Sequence, residues 1–167
     1  MTVVLWILAG ILAVFLLTVI FGAPYVPSHP KALADVFTKL YPLSPKDLLV
    51  DVGSGDGAVL RLAAKHGARA VGYEINPILV LLSRILSRHE HLVTIYMHNF
   101  LHVQLPKDTT VVYIFGIERL MPKIYQILQG FASTHRRSVY LISFGFTVRG
   151  VKPIKKSGAA FLYEIRP

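Results

Sequence analysis

The chain has 167 residues, of which 53% are hydrophobic, carries a net charge of +9 and contains no cysteine. That length accommodates one domain of ordinary size, and the missing cysteines exclude a disulfide framework and any thiolate metal site. A positive excess of this size points to nucleic acid, a membrane surface or an acidic partner, but the basic residues are spread, with Arg136-Arg137 and the group Arg149, Lys152, Lys155 and Lys156 as clusters. A domain held beneath an anionic leaflet gains about 1 kcal/mol per nearby Lys or Arg, which accounts for the excess without nucleic acid. A solvated basic face accounts for it equally well.

Residues 3–23 carry no charge and are rich in Leu, Ile, Val and Phe. At about 1.5 Å per residue such a helix crosses a hydrocarbon core of about 30 Å, so the expectation is one transmembrane helix. A cleaved signal peptide is the rival, against which stand the absent basic start, the length of the apolar run and the poor small-x-small site at Phe21-Gly22-Ala23. No lysine or arginine precedes the run while Lys31, Lys39 and Lys46 follow it. The expectation is therefore a single-pass membrane protein with its main domain in the cytoplasm. Three prolines in 22–30 mark a connector, and Ala34, Phe37 and Leu40 give an amphipathic helix over 31–41. The expected organisation is anchor 1–23, connector and lead-in helix 24–46, and domain 47–167.

Within that domain, apolar runs rich in β-branched and aromatic residues predict strands at 48–52, 70–75, 93–97, 111–117, 139–146 and 161–165. Helices are predicted at 58–66, 78–88 and 119–131, with Pro77 and Pro122 suited to first turns. Repeated strand-helix-strand units predict an α/β fold, a doubly wound, mostly parallel, Rossmann-like sheet. Its ligand belongs at the carboxyl ends of the strands, where Asp51, Glu74, Asn99 and Phe115 fall. The short stretch between Phe146 and Phe161 leaves little room for a fifth crossover helix, so the C-terminal half is shortened and 150–158 is expected to turn an antiparallel pair at the sheet edge.

The run Asp51-Val52-Gly53-Ser54-Gly55-Asp56-Gly57 begins inside the first strand and continues into the turn after it. Its glycines make a tight turn whose backbone can approach a ligand, and Glu74, at the end of the next strand about twenty residues on, is placed to take both ribose hydroxyls of a nucleoside. NAD would also suit the spacing of Gly53, Gly55 and Ala58. Asp51 favours S-adenosylmethionine, because a carboxylate there repels a pyrophosphate at the helix start but attracts an ammonium and a sulfonium.

Asp-x-Gly-x-Gly-x-Gly with Glu at the end of the next strand resembles the cofactor motifs of class I methyltransferases. Tyr25-Val26-Pro27-Ser28, Asp51 to Gly57, Gly72-Tyr73-Glu74-Ile75-Asn76-Pro77, and Ile114-Phe115-Gly116-Ile117 with Leu120-Met121-Pro122 are together similar to one family. It contains the lysine methyltransferases of mitochondrial ATP synthase c-subunit and of the adenine nucleotide translocase, with short bacterial relatives. The resemblance implies a methyltransferase sheet and an enzyme that methylates a lysine; with the anchor read from residues 3–23, the expectation is a membrane-anchored enzyme acting on a membrane-associated protein. It assigns cofactor binding to Asp51, Gly53, Ser54, Gly55, Asp56, Gly57, Glu74 and Asn76, with Asn99 and Phe100 at the adenine and Tyr25 and Ser28 closing over the methionine moiety.

Several of these positions have a second reading. Asn99 replaces the family's Asp and accepts from the adenine amine without charge assistance, or is a surface turn residue. Tyr25 and Ser28 also suit a plain linker. Phe115 and Glu118 are the candidate catalytic pair, an aromatic wall and a partner for the incoming ammonium. Glu118 equally suits the N-terminus of the following helix. No Asn-Pro-Pro-Tyr motif is present and no histidine has metal-ligand spacing, so neither nucleic acid nor metal is expected. Methylation of a lipid or quinone-like molecule, and a cofactor-binding scaffold without catalysis, are the competing functions.

Overall fold

The computed structural model describes residues 2–6, 9–10, 30–115 and 118–167. A lead-in helix, α1 (Pro30–Asp35), continues into a π-helical turn (Val36–Leu40). Then come β1 (Leu48–Val52), α2 (Ala58–Lys65), β2 (Arg69–Glu74), α3 (Pro77–Leu86), β3 (Val93–Met97) and a 3-10 turn (Phe100–His102). The second half runs β4 (Val111–Phe115), a 3-10 turn (Glu118–Leu120), α4 (Met121–His135), β5 (Val139–Phe144), β6 (Lys155–Ser157) and β7 (Ala160–Ile165).

The strands form one sheet in the order β3-β2-β1-β4-β5-β7-β6. The first five are parallel, whereas β7 runs antiparallel to β5 and β6 antiparallel to β7. The fold is thus a mixed-sheet, Rossmann-like α/β fold. Its antiparallel edge follows from the short link between β5 and β6: a parallel return needs a crossover of a dozen or more residues, usually a helix. Here the chain leaves the sheet at Gly145 (φ 95°), where Ser143 Oγ donates to the Phe146 carbonyl at 2.6 Å, and it returns directly as the β6–β7 hairpin. Arg149, Lys152, Lys155 and Lys156 are exposed on that edge.

The transmembrane helix expected over 3–23 is corrected. Among the described residues no helix is long and apolar enough to cross a membrane. The longest of those from Pro30 on, α4, has 15 residues, about 22 Å at the helical rise against a hydrocarbon core of about 30 Å. Residues 2–6 and 9–10 are helical and exposed; the rest of 3–23 and the connector lie outside the described residues.

Both faces of the sheet are apolar, as parallel strands with helices on both sides require. Leu49, Val111 and Tyr113 face the lead-in helix, α2 and the inner side of α3, with Phe37, Leu40, Leu60 and Val80 among the buried partners. Val50, Val112 and Ile114 face α4 through Met121, Ile124 and Leu128. In the lead-in segment the π turn, closed by Tyr41 N–H donating to the Val36 carbonyl at 2.9 Å, brings Val36, Phe37 and Leu40 to the core together. The amphipathic pattern over 31–41 predicts an ordinary α-helix, and packing of these three side chains selects the wider turn instead.

Asp47 ties this lead-in segment to the sheet. Its carboxylate accepts from Tyr41 Oη at 2.9 Å, from Ser44 N and Oγ at 2.9 and 2.8 Å, and from Thr110 Oγ1 at 2.9 Å, joining the base of β1 to that of β4. Burial raises the Asp47 carboxyl, but hydrogen bonds from Ser44, Thr110 and Tyr41 outweigh it and hold the group below the ordinary carboxylate range. A carboxyl lowered on folding stabilises above its unfolded pKa, and that stability is lost as pH falls through the folded value. Asp47→Ala is therefore expected to lower stability by about 2 kcal/mol or more at neutral pH. The deficit should shrink below pH ~4, as measured by urea unfolding across pH; an equal deficit at both ends would remove the electrostatic account.

Candidate functional site

Register places Asp51 between Gly72 of β2 and Tyr113 of β4, with Glu74 the last residue of β2. The loop after β1 folds back through Gly53 and Ser54 N–H groups donating to the Tyr73 carbonyl at 2.9 and 3.1 Å. Gly53, Gly55 and Gly57 all have positive φ (76°, 53° and 81°), a region that side chains with a Cβ resist. Close approach adds to this at two positions. A Cβ on Gly57 would run into Ser83 Oγ of α3, and one on Gly72 would meet Leu60 Cδ1 at 2.5 Å and Ser54 Oγ at 2.6 Å. The loop is clamped between α2, α3 and β2.

Glu74 closes the clamp. Oε2 accepts from Gly55 N–H at 2.9 Å, and Oε1 from Ile75 and Asn76 N–H at 2.8 and 2.9 Å. An ionised carboxylate has about four acceptor positions, so at least one remains for a hydroxyl of a ligand. Asp51 is the opposite case. It is 3% exposed, no described residue donates to its carboxylate, and burial, then Glu74, then Asp56 push its pKa well above the ordinary value. A buried carboxylate without a donor among the described residues, beside two other acids, is built for a cation that arrives with the ligand. The ammonium and sulfonium of S-adenosylmethionine meet that need and its ribose hydroxyls meet that of Glu74, so the residues present fit this cofactor.

Other expected site residues are held by the protein itself. Asp56 accepts from Ala58 N–H at 3.1 Å at the start of α2 and pairs with Arg61 at 3.4 Å. Asn76 caps α3, its Oδ1 accepting from Ile78 and Leu79 N–H at 3.0 and 3.4 Å. Asn99 caps the 3-10 turn through Leu101 N–H at 3.0 Å, which is the turn role weighed for it, and the residue stays exposed. Phe100 is buried against Tyr73, ring centroids 6.0 Å apart, and belongs to the core on the α4 side of the sheet. Ser54 is buried with no partner on its hydroxyl among the described residues.

At the acceptor side, Phe115 ends β4, half-buried, in register with Phe144 and 5.3 Å from its ring. Glu118 is exposed at the first residue of the following turn, and no described residue pairs with it. Gly116, Ile117, Tyr25 and Ser28 lie outside the described residues. Sequence reading passes over Arg61, Ser83 and Phe144. Arg61 binds the Asp56 carbonyl at 2.5 Å, and Ser83 presses on Gly57. The available signal for Ser83 is a lone small polar residue inside the apolar run of α3.

The model of the ANTKMT methyltransferase domain family matches residues 51–155, which takes in Asp51, Glu74, Asn99, Phe115 and Glu118. The chain is similar to the ATP synthase c-subunit lysine N-methyltransferase of Xenopus laevis, at 38% identity over 109 residues, 64% of this chain and 47% of that protein. The Homo sapiens protein is 36% identical over 109 residues, 64% of this chain and 46% of that one. The chain thus spans about half the length of the curated relatives it matches. Adenine nucleotide translocase lysine N-methyltransferase of Mus musculus is 41% identical over 63 residues, 37% of this chain and 27% of that one. Among solved structures, an RNA methyltransferase from Salinibacter ruber in complex with S-adenosyl-L-homocysteine superposes with TM-score 0.76 at 26% identity, covering 84% of this chain and 94% of that one.

The buried charge at Asp51 has a consequence for stability. A carboxyl raised on folding costs stability as pH rises through its folded pKa, so Asp51→Asn should raise the thermal midpoint of the ligand-free protein, with a gain that grows from pH 4 to pH 7. Calorimetric melting across pH measures it; a pH-independent gain would mean that charge at Asp51 is not the cause. Gly57→Ala should cost about 1–3 kcal/mol from the left-handed φ and the Ser83 contact, and replacing Ser83 by Gly in the same chain should return part of it.

Proposed function

Because the chain belongs to the ANTKMT methyltransferase domain family, we propose that it is an S-adenosylmethionine-dependent protein-lysine N-methyltransferase. The observation that carries the reading is the similarity to lysine N-methyltransferases, with the family match over 51–155 taking in both acids and the Phe115–Glu118 end of β4. S-adenosylmethionine supplies the methyl group as an electrophile on its sulfonium. Asp51 holds the cofactor's positive end and Glu74 its ribose.

The remaining work is placement of the amine. Exposed Glu118 attracts a lysine ammonium, while the Phe115–Phe144 pair offers aromatic faces along which its stem can lie. A lysine ordinarily titrates near pH ~10.4; apolar walls disfavour its charged form and lower that value, so a neutral amine forms without a dedicated strong base. Methylation of a lipid or quinone-like acceptor would make no use of Glu118.

Asp51→Ala and Glu74→Ala should each weaken S-adenosylmethionine binding about tenfold or more in calorimetry, since each removes a charge-assisted contact. Retained affinity in both would sink the cofactor assignment. Glu118→Gln should lower the rate on a lysine acceptor while leaving cofactor affinity unchanged. Tritiated S-adenosylmethionine incubated with cell membranes and cytosol, then divided into lipid, RNA and acid-hydrolysed protein, should place the label in methylated lysine. Label confined to lipid or RNA would overturn the lysine reading.

A further inference from the structure

Helix α3 buries one side and leaves the other bare. Val80 and Ser83 face the core, while Ile78, Leu81, Leu82, Ile85 and Leu86 are between 41% and 61% exposed. Their spacing of i, i+3, i+4, i+7 and i+8 makes one continuous stripe. Ile75 and Met97, 49% and 55% exposed, extend it from the helix to the carboxyl ends of β2 and β3. Five large apolar residues on one outward helix face, with two more beside it, exceed the scattered exposure usual for a soluble surface and mark an interaction site.

The charges around the stripe select its occupant. Between Glu74 and Asp108 the only acid is Glu90. Arg84, held at the flank of the helix by donating to the Ile95 carbonyl at 2.9 Å, and Arg88, lying along its C-terminal turn on the Ile85 carbonyl at 3.1 Å, are both exposed. A second copy would bring these arginines and another +9 of charge against the same face, which opposes a symmetric dimer. A convex apolar stripe edged by arginines instead suits the interface of an anionic bilayer, where a helix lies with its apolar side among the acyl chains and its cations at the phosphates.

We propose that the exposed face of α3 docks on an anionic lipid surface. The contact is a helix lying in the interface, not one crossing the bilayer. Asn76, the α3 cap, follows Glu74 closely in the chain and its N–H donates to that carboxylate, so docking holds the cofactor mouth close to the membrane and presents it to acceptors there. The inference does not depend on which acceptor is methylated.

The absence of cysteine from the sequence allows a single-site probe in the full chain. Leu82→Cys, labelled with an environment-sensitive fluorophore, should shift to the blue and be quenched by brominated acyl chains on vesicles of phosphatidylcholine and phosphatidylglycerol. The same label at exposed Gln129→Cys, on α4, should stay aqueous. Adding Leu81→Glu and Ile85→Glu should cut the quenched fraction of the label at position 82 about tenfold or more while S-adenosylmethionine binding, read by calorimetry, stays unchanged. No shift at position 82 with vesicles would overturn the proposal. So would a shift without lipid, which would assign the face to a second copy if it rose with protein concentration, or to residues 3–23 of the same chain if it did not.

Discussion

The Glu74 carboxylate is the contact on which the site depends. It gathers three backbone N–H groups, one from the glycine loop and two from the turn that begins α3, and so makes the end of β2, the end of β1 and the start of a helix one unit. Each of those N–H groups would otherwise sit at a partly buried turn without an acceptor, a costly position for backbone. A single carboxylate meets all three because charge-assisted hydrogen bonds are strong and its oxygens offer several acceptor directions.

Around that closed loop one acid is left without a donor among the described residues. Asp51 lies under the loop, buried and without a donor among the described residues, beside two further acids. Asp56 is turned away to α2 and Arg61, and Glu74 is already engaged. The result is a local excess of negative potential in a chain whose overall charge is strongly positive. Such a site disfavours an anionic pyrophosphate and favours a ligand with positive charge next to a nucleoside. Folding stability is given up at Asp51 so that binding can recover it.

The same economy of elements explains the shape of the molecule. The second face of the sheet is covered mainly by α4, and a 3-10 turn replaces a helix between β3 and β4. The first face carries the lead-in helix, α2 and α3, and α3 closes on the glycine loop at Gly57 through Ser83. One helix therefore belongs to both functional surfaces: its inner side supports the loop, and its outer side carries the apolar stripe.

The sequence by itself determined the βα alternation, the strand-end location of Asp51, Glu74 and Phe115, and the turn at 53–57, because these rest on local rules. Apolar runs make buried strands, glycine permits positive φ, and a short C-terminal segment leaves no room for a crossover helix. What each polar side chain does was decided only by tertiary structure. Asn76, Asp56 and Asn99 carry the residue types of ligand contacts, and the structure shows what else they do: Asn76 caps α3, Asn99 caps a 3-10 turn and Asp56 serves α2 and Arg61. The π turn at Val36–Leu40, the pairing of Phe115 with Phe144 and the contact of Ser83 with Gly57 likewise depend on elements distant in the chain. The apolar run at 3–23 reads as a span by hydropathy alone, and the described residues contain no helix that crosses a membrane. Hydropathy measures what a segment could bury, not how long a helix it forms.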